Sequence, residues 1–416
     1  MIFREGKLVY QLGNVASDDR RVYLGFQGMN SAIAVFNQED MYFVGLYMPM
    51  CGSPNKIKLV HDLNKLICST SAGCIYVWDT SIETIASLER VTLDPLTING
   101  FVRPEIRVKP VLEILSEAVS DCVDVDHIPN TPIMVSVDSA GSLTFFDIEE
   151  GTMKGTVDRL KKEGNRVICM RVDPLPSTMD GKSGHWIALG GSNGFIGMLF
   201  VEVDKLVKQT DGFTAEHASN MHAVVNNTGD RADVNSVDFR TRVTNSTNTV
   251  VLAGCNDGAV RCSVFKMADE GMQLHKVACY QHCRPTVSGA VYRIIAERDS
   301  DGAPYVISLC NMQLPFDLHD TAFVDGKQGT GEPSSFCSEI LMQKLMQEQS
   351  EQYAVLSHMR EFITDAKFAP DQSYILFCTL DEVYIIIRDH DTKAWGKPLR
   401  LEWNTLENQK LMAKLL

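Results

Sequence analysis

The chain has 416 residues, of which 44% are hydrophobic and 22% charged, and a formal net charge of -14. This composition suits a globular protein with a sizeable core, contains no run approaching the roughly 18 apolar residues that span a bilayer, and disfavours a binder of duplex nucleic acid, which must neutralise phosphates with Lys and Arg. The 12 cysteines are scattered and include no CxxC pair, which argues against zinc ribbons and thioredoxin chemistry.

The opening stretch, MIFREGKLVYQLGN, places Arg4, Glu5 and Lys7 where a signal peptide needs an apolar core. An intracellular protein, cytoplasmic or nuclear, is therefore expected, and the sequons at Asn226 and Asn245 read as chance matches. The segment RRVYLGFQGMNSAIAVFNQED, around Gly28, has the shape of a β-hairpin.

The next hairpin is the most regular. CSTSAGCIYVWDTS runs from Cys68 through a Ser-Ala-Gly turn at Gly73 to Trp78-Asp79. Its shape recurs in MVSVDSAGSLTFFDIEEG with Gly141 and Phe146-Asp147, in IALGGSNGFIGMLFVEVD with Gly194, and in VVLAGCNDGAVRCSVFK with Gly258. In each copy a strand-prone run meets a small polar turn, and a second alternating run follows. Glycine there supplies the positive φ of a tight turn. SYILFCTLDEVYIIIRDHD repeats the shape near the C-terminus with Leu380-Asp381-Glu382 at its turn and no glycine. APYVISLCNMQLPFDLHD, from Ala303, is a further candidate with an untypical turn.

An alternating segment precedes most of these hairpins: EAVSDCVDVDHIPN (118–130), RVICMRVDPLPS (166–177), DVNSVDFRTRV (233–243), TVSGAVYRII (286–295) and FITDAKFAPDQ (362–372). Alternation marks a half-buried strand. The unit is thus strand, loop, hairpin and a looser fourth strand, at about 60 residues per unit, against about 40–45 for a compact blade. The surplus is assigned to insertions at about 82–117, 204–232 and 319–360. The first mixes Pro95, Pro104 and Pro110 with Arg103, Arg107 and Lys109, and the second is polar. The third starts with GKQGTGEPSS and then reads as an amphipathic helix: Phe336, Ile340, Leu341, Leu345 and Met346 recur three and four apart. That helix either packs back on its own domain or meets a partner. The C-terminal NTLENQKLMAKLL reads as a short helix over 405–416, capped by Asn404 or Thr405. It docks, binds a partner, or leads into further chain.

These residues carry a family resemblance. Gly73-x4-Trp78-Asp79, Gly141-x4-Phe146-Asp147, the SNG and NDG turns and AKFAPD resemble a divergent WD40-repeat β-propeller, over most of residues 10–400 as about seven units. The resemblance implies an all-β, seven-bladed propeller in a single domain, 1–404, with long inter-blade insertions, one inserted helix and a short C-terminal helix, and a strand near residues 5–12 that completes a sheet with a C-terminal strand around 396–403. Neighbouring small sheets bury each other's faces in such a fold. One unit has the actual Trp-Asp, no clear Gly-His is present, and the Trp-Asp-x-Arg of cullin-ligase receptors is replaced by Trp78-Asp79-Thr80-Ser81.

Motifs for catalysis are weak. GGSNG at 190–194 matches a nucleophile elbow around Ser192, yet an elbow sits between strand and helix, and FIGMLFVEV reads as a strand. DGKS at 180–183 lacks the first glycine of a phosphate loop, Pro176 standing in its place. His275, Cys279, His282 and Cys283 are metal-capable types without a second half-site. Asp79, Asp121, Asp147, Asp238 and Asp365 read as turn-capping carboxylates at strand ends. No catalytic residue, cofactor or metal site is expected. The expected function is a non-catalytic scaffold that joins other protein subunits in a complex, with Phe336, Ile340, Leu341, Leu345, Leu415 and Leu416 as partner-binding candidates. The alternatives are recognition of a short, modified peptide or degron and, further off, a hydrolase. No direct contact with nucleic acid is expected.

Overall fold

The computed structural model describes residues 2–4, 7–9, 11–27, 32–47, 49, 51–81, 107–108, 110–114, 122–157, 165–179, 181–208, 222–226, 232–239, 248–268, 271–281, 288–298, 304–313, 336–344, 352–359, 361–369, 373–392, 394–406, 408–409 and 412. The chain is all-β in design: small antiparallel sheets, built one after another along the sequence, in a propeller-like arrangement. Sheet 1 runs in order from Gln11–Ser17 through Arg21–Gln27 and Ile33–Asn37 to Phe43–Tyr47. Sheet 2 holds Pro54–Val60, Lys65–Thr70 and Ile75–Asp79, and sheet 3 Cys122–His127, Ile133–Asp138, Leu143–Asp147 and Thr152–Val157. Sheet 4 is formed by Val167–Val172, Lys182–Gly191, Phe195–Glu202 and His222–Asn226, with Ser177–Met179 paired at its side. Sheet 5 comprises Val234–Phe239, Asn248–Cys255, Ala259–Ala268 and Gly271–Gln281. Sheet 6 comprises Ser288–Arg298, Pro304–Gln313, Phe336–Lys344 and Gln352–Met359. Sheet 7 ends the series with Ile363–Phe368, Tyr374–Thr379, Val383–Ile387 and Leu399–Leu401.

The chain divides into two compact units. One is Met1–Val125 with Asp147–Thr152 and Ile363–Leu416; the other is Asp126–Phe146 with Met153–Phe362. In the first unit, Leu12, Leu24, Phe36 and Phe43 of sheet 1 share a core with Leu376, Cys378 and Val383 of sheet 7. The opposite face of sheet 1, with Tyr23, Val35 and Tyr47, packs on Leu66, Tyr76 and Trp78 of sheet 2. The second unit repeats this face-to-face packing. Val135 and Phe145 of sheet 3 meet Val167, Leu189 and Phe195 of sheet 4, whose other face carries Trp186, Ile196 and Met198 onto Val237, Phe239 and Val251 of sheet 5. A small sheet buries one face by itself at best, so stacking supplies the second.

The hairpin glycines take the conformation that their turns require. Gly73, Gly141, Gly194 and Gly258 have φ of 78°, 86°, 71° and 78°. In the first hairpin Gly73 N–H donates to Thr70 O at 3.0 Å and Thr70 N–H to Cys74 O at 2.9 Å. Gly141 and Asp138 make the same pair of bonds, to Asp138 O and Ser142 O. This is a type I turn closed by a left-handed residue, which matches strand twist. The 380–382 turn needs no glycine because Leu380, Asp381 and Glu382 all avoid positive φ; Thr379 N–H reaches Glu382 O at 2.9 Å.

Three expectations are corrected. The amphipathic stretch from Phe336 is a strand, Phe336–Lys344, paired along its length with Pro304–Gln313. Apolar residues four apart in a short run satisfy either period, and a waiting strand edge decided the outcome. The insertions do not join one blade to the next. Residues 82–106 and 209–221 fall between the third and fourth strands of sheets 2 and 4, and 314–335 between the second and third of sheet 6. The end of the first insertion is itself sheet: Arg107–Val108 adds to sheet 1 parallel to Phe43–Tyr47, and Leu112–Ile114 becomes the outer strand of sheet 2. Finally, Leu399–Leu401 pairs with Val383–Ile387 and Ile2–Arg4 with Lys7–Val9, so among the described residues no sheet combines the two chain ends.

The C-terminal segment is helical at Leu406, Asn408, Gln409 and Met412 among the described residues. Thr405 caps it, its Oγ1 accepting Asn408 N–H at 3.2 Å. Met412 is fully buried in the sheet 1 core while Leu406 is 68% exposed. Leu345, Leu415 and Leu416, the Gly28 turn, Asp121, His282, Cys283 and Asn245 lie outside the described residues.

Candidate functional site

A register break recurs at the start of six of the first strands. It falls between Leu12 and Asn14, Pro54 and Lys56, Val167 and Cys169, Val234 and Ser236, Val291 and Arg293, and Ile363 and Asp365. A bulge of this kind re-aims one side chain out of the ladder. Asn55 and Asn235 are bulge residues of sheets 2 and 5, and each turns its amide to the next sheet. Asn55 Nδ2 donates to Cys122 O at 3.1 Å, and Asn235 Nδ2 to Val291 O at 3.3 Å. Thr364, the bulge residue of sheet 7, donates to Cys378 O within its own sheet at 3.2 Å. The alternation that identified these strands gives no sign of the bulges, because a bulge shifts register without changing composition.

Just beyond the bulges the first strands carry charge. In the first unit Lys56 Nζ lies 3.6 Å from Asp124, and Asp365 accepts Val15 N–H at 3.2 Å beside Lys367 Nζ at 3.7 Å. In the second unit Arg171 stands between two buried carboxylates. Its Nε donates to Asp238 at 3.0 Å and its Nη1 lies 3.5 Å from Asp126, which also accepts Val172 N–H at 2.9 Å. Arg171 thereby ties sheets 3, 4 and 5. Its side chain is 33% exposed, and those of Lys56 and Lys367 are 24% and 20% exposed. In each pair the carboxylate is more buried than its cation.

The conspicuous motifs are absorbed by local structure. Ser192 lies in a 3-10 turn between two strands, not on a strand-to-helix elbow. Its Oγ accepts Arg166 N–H at 2.8 Å and its own N–H donates to Arg166 O at 2.8 Å. A Cβ at Gly190 would meet Cys169 Sγ and Val234 Cγ1 at 2.6 Å, and one at Gly191 would meet Arg166 O at 2.3 Å. Asn193 adopts φ 56° and donates its N–H to Asp233, whose own N–H reaches Asn256. All five residues of GGSNG thus serve the turn and the packing of sheet 4 on sheet 5. In DGKS, Lys182 pairs with Glu202 at 3.0 Å.

Of the aspartates expected to cap turns, Asp79 and Asp147 do so, whereas Asp238 and Asp365 lie within first strands and bond to the neighbouring sheet instead. Asp79 Oδ1 accepts Ser81 N–H at 2.7 Å, and its Oδ2 pairs with Lys65 at 3.0 Å. Burial pushes the Asp79 carboxyl up, but the Ser81 amide and the Lys65 ammonium outweigh that and hold it below the ordinary range. Asp147 Oδ1 accepts the N–H groups of Glu149 and Glu150. Among the described residues no group of three His, Cys, Asp or Glu side chains could hold a metal ion. No helix there is long and apolar enough to cross a membrane.

The partner-binding candidates separate. Phe336 opens the third strand of sheet 6 opposite Gln313, and Leu341 pairs with Ser308. Ile340, opposite Leu309, is 1% exposed and so packs inward instead of meeting a partner. No family model matches this chain, and no curated protein matches it.

Proposed function

We propose that the chain is a non-catalytic, intracellular scaffold whose sheets close into a seven-bladed WD40-like ring, and that it holds other protein subunits in a larger assembly. The observation that carries this reading is the absorption of its functional-looking side chains. Ser192, Lys182, Asp79, Asp147 and the Asp126–Arg171–Asp238 group are each engaged in turns or between sheets. The packing of sheet 7 on sheet 1 supports closure, since the last sheet meets the first. A rigid stack with long connections inside its sheets suits display of binding loops. The test is gentle purification of the tagged chain from its own cells, followed by sizing. A particle well above the chain's own mass with stoichiometric protein partners is expected. Recovery as a lone species under every condition would overturn the reading.

A second reading, recognition of a short acidic or modified peptide, draws on one observation: the Arg171 side chain of the second unit is 33% exposed while its carboxylate partners Asp126 and Asp238 stay buried. Titration with acidic peptide libraries discriminates it, with binding expected to weaken in Arg171→Ala. A hydrolase acting through Ser192 would instead lose its turnover in Ser192→Ala.

A further inference from the structure

Nine cysteines have described side chains. Eight are buried, and Cys51 is exposed. Cys51 is not isolated. Gly52, next to it, has φ +75° and sits so close to the turn of sheet 2 that a Cβ would meet Ala72 N at 2.7 Å and Ala72 Cβ at 2.8 Å. Ser53 N–H donates to Ser71 Oγ at 3.0 Å, and Ser71 N–H donates to Ser53 O at 2.9 Å. Residues 51–53 are thereby clamped on the turn that ends at Cys74. Cys51 N–H also donates to Tyr76 Oη at 2.9 Å. Cys74 lies two residues before Tyr76 in the same core cluster, and its Sγ donates to the carbonyl of Ala72, the residue against which Gly52 is packed.

We propose that Cys51 and Cys74 form a redox-modifiable dithiol that takes a peroxide as oxidant and closes to a disulfide across the hairpin turn of sheet 2. The exposed Cys51 thiolate attacks one peroxide oxygen. An S–O bond forms, the O–O bond breaks, and the other oxygen leaves as water after taking a proton. The Cys74 sulfur then displaces the hydroxyl from the Cys51 sulfenic acid. An S–S bond forms, the S–O bond breaks, and a second water carries off the Cys74 proton. Two thiols are oxidised by one peroxide, which is reduced to two waters when it is hydrogen peroxide. Burial, the first cause, and the neighbouring Cys51 raise the Cys74 thiol above its ordinary value. The exposure of Cys51 and the burial of Cys74 assign the attack to Cys51 and resolution to Cys74.

The test uses the full chain exposed to hydrogen peroxide, quenched with an alkylating reagent, digested without reductant and read by mass spectrometry. The expected product joins the Cys51 peptide to the Cys74 peptide, two hydrogens lighter than their sum. Fragmentation places the bond at Cys74 and not at Cys68, and dithiothreitol reverses it. In Cys74→Ser, Cys51 is expected to accumulate as a sulfenic acid that dimedone captures. If that variant fails to fold, the exposed Cys51→Ser replaces it, with the cross-link lost and the other thiols unoxidised. Complete alkylation of Cys51 after peroxide, or a Cys51 bond only to another chain or another cysteine, overturns the proposal.

Discussion

Asn408 closes the outer edge of sheet 1 at Phe43. Its Oδ1 accepts the Phe43 N–H at 3.1 Å, and its Nδ2 donates to Met41 O and Trp403 O, both at 2.8 Å. The side chain thus stands where a neighbouring strand would. At the other end of the same strand, Leu46 and Tyr47 are covered by the parallel pair Arg107–Val108. Two distant parts of the chain blunt an edge that would otherwise offer unpaired amides to another chain.

Removing that side chain should cost more than its surface would suggest. Asn408→Ala leaves the Phe43 amide and two carbonyls without their partner in a buried position, and each such group costs about 1–3 kcal/mol. A loss of about 2–4 kcal/mol in stability is expected, as a lower urea midpoint. Asn408→Asp keeps the acceptor but sets a buried carboxylate oxygen against Met41 O and Trp403 O, and should cost at least as much as the alanine at neutral pH. A midpoint unchanged in Asn408→Ala would show that the C-terminal helix is not anchored here.

How much of this was legible in the sequence depends on the range of the interaction that decides each element. Gly73, Gly141, Gly194 and Gly258 announce their hairpins because a tight turn demands a residue that tolerates positive φ. Asp79 and Asp147 cap turns from within two or three residues, a span the sequence displays. The strand at Phe336–Lys344 was hidden because its apolar spacing also suits a helix, and only Pro304–Gln313 resolves the ambiguity. Asn55 and Asn235 were hidden for a different reason. Their partners, Cys122 and Val291, are 67 and 56 residues away, and nothing local marks a bulge.

The glycine column predicts a graded response. At Gly141, with φ 86°, an alanine must adopt the left-handed region, at about 1–2 kcal/mol. Gly141→Asn should restore part of that, since Asn visits this region more readily. Equal melting temperatures for Gly141→Ala and the parent would refute the conformational argument.

Gly190 makes a different point with the same residue type. Its backbone is ordinary, yet an added Cβ would lie 2.6 Å from both Cys169 Sγ and Val234 Cγ1 and 2.9 Å from Val237 Cγ1. Gly190→Ala should therefore destabilise by about 1–3 kcal/mol through overpacking between sheets 4 and 5. Pairing it with Cys169→Ala, which opens space, should recover part of the loss. Simple additivity in the double variant would mean the two sites do not share that contact.

Arg171 should be a sensitive position of the second unit. Arg171→Leu leaves Asp126 and Asp238 buried without their cation, and breaking a buried pair this way costs about 3–5 kcal/mol. The guanidinium is a third exposed, so screening brings the expected loss to the lower end, about 2–3 kcal/mol. Arg171→Lys retains charge but reaches one carboxylate at a time, and an intermediate loss is expected. Denaturant midpoints for the two variants decide this. A lysine variant as stable as the parent would mean that a single contact suffices.

Asp79 ties the Trp-Asp of the opening hairpin to pH. Lys65 and Asp79 are cross-strand partners at the two ends of the sheet 2 hairpin. Burial alone would raise the carboxyl, but the Ser81 amide and Lys65 lower it overall. A carboxyl lowered in the folded state contributes stability above its unfolded value, about 4, and loses that contribution as pH falls through the folded value. Asp79→Asn keeps the shape and an oxygen for Ser81 N–H but cannot carry charge. The stability gap between parent and variant should be full at neutral pH, begin to close near pH 4 and shrink further in stronger acid. Urea titrations at pH 7, 5 and 3 measure it. A gap that stays constant across that range would assign the role of Asp79 to its turn hydrogen bond alone, with no contribution from its charge.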